Sequence, residues 1–122
     1  MSLYRVRLEL ARSKEAPQGD PSHAYVVVAP LDAKGHLDPI SWKSSRSRCT
    51  VERIVRGNVE ERGHLAHVGH GWHFDYKAGT GDDDEPLYKL DRHEIRDGEY
   101  ISVTEHDGVL RTFRVVSVTP VA

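Results

Sequence analysis

The stretch His64-Leu65-Ala66-His67-Val68-Gly69-His70-Gly71-Trp72-His73-Phe74-Asp75-Tyr76-Lys77 reads as two strands and a turn. Trp72, Phe74 and Tyr76 alternate with His73, Asp75 and Lys77, the period of a strand with one dry and one wet face. Ala66 and Val68 alternate more weakly with Leu65 and His67. Gly69-His70-Gly71 supplies turn chemistry between the two runs. A three-residue loop pairs Val68 with Trp72, His67 with His73 and Ala66 with Phe74. That register gathers the apolar residues on one face, and a one-residue slip inverts every side chain.

The register carries a chemical expectation. His67 and His73 become cross-strand neighbours, and Asp75 shares the face of His73. Two imidazoles and a carboxylate converging on one point suit Zn²⁺ with a position left for water. The competing reading is the solvated face of a hairpin, because no H-E-x-x-H or C-x-x-C spacing accompanies the trio.

Outward from this hairpin the chain continues in short strands. Tyr4, Val6, Leu8 and Leu10 alternate with Arg5, Arg7 and Glu9. Arg12 to Ser22 holds Pro17, Gly19 and Pro21 and reads as a loop. His23 to Leu31 contains the β-branched run of a strand buried on both faces. Residues 36–48 give no sustained period, although a short strand fits Ile40–Lys43. Cys49 to Val55 favours a strand; a short helix at 49–56 is the alternative. Ala78 to Pro86 is a loop, and Leu87 to Leu90 a short edge strand. Tyr100–Thr104 and Leu110–Val118 flank His106-Asp107-Gly108, the strongest hairpin signal in the chain.

Six to eight mostly antiparallel strands with recurring turns predict one all-β domain over residues 1–122, a small β-barrel or β-sandwich. An α+β fold would need the helix near 49–56. The expected core contains Tyr4, Val6, Leu8, Val27, Trp72, Phe74, Ile101, Val103, Phe113 and Val115.

Composition narrows the functions. The chain has 122 residues, 30% of them charged, and a net charge of −2. Interspersed charges create no long-range field for nucleic acid or an anionic membrane. No run is long enough for a transmembrane helix, and Met1 to Leu10 alternates too regularly for a signal-peptide core. The single cysteine excludes an internal disulfide, so a cytoplasmic location is expected.

The run from Asp97 to Val118, with Gly71 to Tyr76 upstream, resembles a family of small uncharacterised bacterial proteins of about this length. The likeness covers residues 57–120 and implies no activity and no site residues. The closing hairpin is also similar to those of several β-barrel families, sortases among them. Sortases need a cysteine on a late strand with a histidine and an arginine; Cys49 lies early, so that activity does not carry over.

Three other groups carry candidate chemistry. Cys49 follows Ser-Arg-Ser-Arg, whose cations would activate a thiol, against the commoner role of a buried small hydrophobe. Trp42, Lys43, Arg46 and Arg48, with Arg53 and Arg56, form a basic patch of the kind that binds single-stranded nucleic acid on β-barrels, against a solvated basic loop at 43–48. Asp82-Asp83-Asp84-Glu85 lacks the spacing of a calcium loop and reads as a solubilising segment, or as a contact for the 43–56 cations of a second copy. Binding or self-association, with a homodimer possible, is therefore expected ahead of catalysis. The alternatives are a metal-dependent, hydrolase-like enzyme using His67, His73 and Asp75 with Zn²⁺, and a nucleic-acid binder through residues 42–56.

Overall fold

Eight strands run up and down in sequence order and close into a barrel, β8 pairing with β1. The computed structural model describes residues 3–69, 71–76 and 84–121, with Asp91 described by its backbone alone. The strands are β1 (Leu3–Leu10), β2 (Asp20–Pro30), β3 (Thr50–Val55), β4 (Asn58–Val68), β5 (Gly71–Asp75), β6 (Glu85–Leu87), β7 (Tyr100–Thr104) and β8 (Leu110–Pro120). Every neighbouring pair is antiparallel. Closure leaves no free sheet edge, so the predicted edge strand near Leu87 is paired on both sides, although briefly. It begins at Glu85 and meets β7 through the single register pair Leu87–Val103.

The helix lies in residues 36–48, where the sequence shows no sustained period. The helix α1 spans Pro39–Ser45, followed by a 3₁₀ turn at Arg46–Arg48, while the stretch 49–56 holds strand β3 (Thr50–Val55) and not a helix. Asp38 caps α1 by accepting from the backbone N–H groups of Ile40 and Ser41, and Pro39 occupies its first turn. Seven residues are too few to display a helical period; Asp38-Pro39 is the local signal that marks the start. The expected strand at 40–43 and open loop at 43–48 are thus both corrected. Ser45 and Trp42 are buried.

The central hairpin forms with a register one residue away from expectation. Val68 pairs with Gly71, His67 with Trp72, Ala66 with His73, Leu65 with Phe74 and His64 with Asp75. The loop is therefore two residues long. Gly71 belongs to β5, and Gly69 supplies a positive φ of 62° of the kind such tight turns use. The β5 faces are as predicted, with Trp72 and Phe74 each 1% exposed. On β4 the faces exchange: Leu65 is buried, and Val68 is exposed. Gly63, on β4, has a packing reason to be glycine. A Cβ there would lie 2.2 Å from the Asp75 carbonyl oxygen.

One continuous apolar cluster fills the interior. Nine of the ten expected core residues are buried, and Tyr4 packs partly buried against the cluster. The core void at Val6, Leu8, Phe74 and Ile101 is about 20 Å³. Among the described residues this void has room for about one water and is too small for a small-molecule ligand.

Candidate functional site

The exchanged face on β4 separates the metal trio. His67 shares the inward side with Trp72, stacking on its indole with ring centroids 4.2 Å apart. His73 and Asp75 lie on the outer face with His64, which is directly opposite Asp75. The structure thus brings His64, not His67, beside Asp75. Among the described residues, no three His, Cys, Asp or Glu side chains are grouped to hold a metal ion.

The basic patch is also divided. Trp42 is 9% exposed; its indole N–H donates to the Leu65 carbonyl at 2.8 Å, and its ring meets Trp72, His67 and the Arg46 guanidinium. It offers little face on which a base could stack. Lys43, Arg46 and Arg48 are exposed. Cys49 is fully buried, and burial pushes its thiol up to about 11 despite Arg48 nearby, the setting of an inert cysteine. In the acidic run, Asp82 and Asp83 lie outside the described residues. Glu85 is no solubilising residue: it is completely buried.

An open groove of about 940 Å³ crosses the outer wall, between the outward side chains of β1 and β2 and the bend of β4. Arg5, Arg46, Arg62 and His64 line it, together with Val26, Val28 and Ala66. Arg62 donates to Glu52 at 3.1 Å. Arg5 and Arg46 are exposed, and among the described residues neither meets a carboxylate. Asp75 also lines the groove, and its buried Oδ1 has no hydrogen-bond partner among the described residues.

The second polar assembly closes the end of the barrel away from α1. Along β5 the inward residues run from Trp72, which packs on Trp42, through Phe74 to Tyr76 just beyond the strand. The same alternation continues past the apolar residues of other strands: Tyr25 and His23 beside Val27, Arg53 beside Val51, Glu85 beside Leu87, Glu105 beside Val103, and Arg111 beside Phe113. Each polar residue stands where a strand pattern demands an inward side chain, and together they fill this end.

Their contacts form one network. The Tyr25 hydroxyl oxygen lies 2.9 Å from Glu85 Oε1 and 2.6 Å from Glu105 Oε2. The Tyr76 hydroxyl lies 2.7 Å from Glu85 Oε1. The His106 backbone N–H donates to Glu85 Oε2 at 3.1 Å, while the His106 ring lies 2.6 Å from Glu61. Glu105 Oε2 is 2.8 Å from His23 Nε2, and its Oε1 accepts from Arg111 at 3.1 Å. Arg53 spans both carboxylates at 3.4 Å and pairs with Glu60 at 2.8 Å.

The two glutamates differ in their ionisation. Burial dominates Glu85 and raises its carboxyl above the usual range, against the tyrosine hydroxyls, His106 and Arg53. Burial also pushes Glu105 upward, but hydrogen bonds from His23 and Tyr25 and the charges of His23 and Arg53 hold it below that range. Burial, followed by the charge of Glu85, drives both tyrosine hydroxyls well above their usual range. The neutral phenols are hydrogen-bond donors here, not nucleophiles.

Among the described residues, no helix is long and apolar enough to cross a membrane. Comparison with protein-family models, curated proteins and solved structures finds no match, so the site rests on its own geometry.

Proposed function

We propose that the protein is a binding domain whose contact surface is the outer groove, and that its partner presents an acidic peptide segment. The observation that carries this reading is the pair of exposed arginines, Arg5 and Arg46, that face one groove without carboxylate partners among the described residues. Unpaired guanidinium groups favour carboxylates, which they can bind through two parallel hydrogen bonds. The filled interior supports an external site. The burial of Trp42 favours a peptide over single-stranded nucleic acid, which needs stacking platforms. A cytoplasmic location fits the single buried thiol. A second copy of the chain, with its own acidic segments, is one source of such a peptide.

The test is an amide chemical-shift titration with a short oligoglutamate and, separately, an oligothymidylate. Saturable, salt-sensitive shifts around Arg5, Arg46 and Gly63–Ala66 with oligoglutamate, lost in Arg5→Glu/Arg46→Glu, are the expected result. Shifts from oligothymidylate alone would replace the peptide by nucleic acid. No groove shifts with either polyanion would remove the reading.

A further inference from the structure

We propose that the polar end of the barrel holds one proton beyond those of its tyrosines, carried by Glu85, and that this proton latches the short strand β6 into the barrel wall. The inference is independent of the groove and rests on counting hydrogens. Three oxygen–oxygen contacts join two phenols to two carboxyl groups: Tyr76 to Glu85 at 2.7 Å, Tyr25 to Glu85 at 2.9 Å and Tyr25 to Glu105 at 2.6 Å. Each has the length of a linear O–H···O bond, and a phenol has one hydrogen to place on such a line. Two phenols supply two hydrogens. The third belongs to a carboxyl group.

The surroundings select which one. Glu105 is built as an anion, with the Arg111 guanidinium on one oxygen and His23 and Arg53 on the other. Among the described residues Glu85 Oε1 meets only the two hydroxyls, while its Oε2 receives the His106 backbone N–H and lies 3.4 Å from Arg53. The order that satisfies every contact has Tyr76 donating to Glu85, Glu85 donating to Tyr25, and Tyr25 donating to Glu105. The upward displacement of the Glu85 carboxyl and the downward displacement of Glu105 agree with this order.

When Glu85 loses the proton, its contact with Tyr25 has no hydrogen and two carboxylates compete for one hydroxyl. The charged and titratable groups facing Glu85 are Tyr25 from β2, Arg53 from β3, Tyr76 after β5, and Glu105 and His106 after β7. Of these, Arg53 is already shared with Glu60 and Glu105. Among the described residues, strand β6 is otherwise tied to β7 by the Leu87–Val103 pair and the bond from the Tyr88 N–H to the Ser102 carbonyl at 2.8 Å.

The sign follows from linkage. A carboxyl whose pKa is raised by folding stabilises the fold below the ordinary glutamate range, and that stabilisation is lost as pH rises through the folded value. The test reads hydrogen exchange at the Tyr88 amide between about pH 5 and about pH 8, corrected for intrinsic rates, in wild type and Glu85→Gln. The glutamine amide can donate to Tyr25 as the protonated acid does. Wild-type protection is expected to fall roughly tenfold for each pH unit by which the Glu85 carboxyl is raised, and to stay flat in the variant. In parallel, the Cδ shifts of the wild-type glutamates are titrated, with Glu85 expected to protonate at the highest pH and Glu105 below the ordinary range. A Glu85 midpoint at or below the ordinary range overturns the proposal, as does an equal pH dependence in wild type and a folded Glu85→Gln. If the variant does not fold, the carboxyl titration decides alone.

Discussion

The two ends of this barrel are closed by opposite chemistry. At the α1 end, Trp42 packs edge-on to Trp72 at 5.6 Å, and Leu3, Leu37, Leu90 and Ile95 are buried nearby in the same cluster. At the other end, Tyr25, Arg53, Glu85 and Glu105 occupy the equivalent inward positions. An apolar closure is held by area removed from water and by close packing, so each side chain contributes locally. An ionic closure depends on every partner being present, because removing one leaves another charge buried and unpaired. The first should erode under mutation; the second should fail.

The sharpest break is expected at Arg53, which ties both buried glutamates to Glu60. Arg53→Met should cost about 3–5 kcal/mol at neutral pH, since the carboxylates lose a shared counter-charge. Urea denaturation checks this, and the loss should shrink as the carboxyls protonate. Phe74, in contact with Tyr25 at 4.9 Å, joins the two regimes. Phe74→Ala should cost a similar 3–5 kcal/mol through the cavity alone, with no such pH dependence of its own.

A smaller effect is expected at the cap of α1. Asp38→Ala removes the acceptor for the Ile40 and Ser41 N–H groups and should cost about 1 kcal/mol, measured as a shifted urea midpoint. Smallest of all is the response of Cys49. The native thiol should resist a maleimide reagent at pH 7 and react once the chain is unfolded, because burial holds it protonated.

Much of the fold can be read from the chain because alternation and turn chemistry agree. The last hairpin shows this: Tyr100–Thr104 and Leu110 onward pair as Asp107-Gly108 implies. The central hairpin is harder because Gly69 and Gly71 both suit a turn, and choosing between them shifts β4 by one residue. That single ambiguity moved His67 to the inner side and undid the expected cross-strand pair. The polar end was legible in principle. Arg53 and Glu105 each follow, and Arg111 precedes, an inward apolar residue at a spacing of two, a signal that a charged residue faces the interior. Glu85 hides better, since its acidic neighbours suggest solvent and only its spacing to Leu87 says otherwise. What no single strand displays is that these residues meet at one end, which follows from closure and register.

The most direct measurement of the contrast between the ends is the pH dependence of two stability losses. Tyr25→Phe removes the hydroxyl between Glu85 and Glu105, and Leu3→Ala removes packing at the α1 end. Urea unfolding of both variants and wild type is compared from about pH 5 to about pH 8. Leu3→Ala should cost about 2–5 kcal/mol by the same amount at every pH. Tyr25→Phe should cost about 1–3 kcal/mol at the acidic limit and more as pH rises, because the hydroxyl favours the ionised form of Glu85 and its removal then leaves two buried carboxylates without their shared donor. Parallel, pH-independent losses in both variants would contradict an ionic closure at one end and an apolar closure at the other.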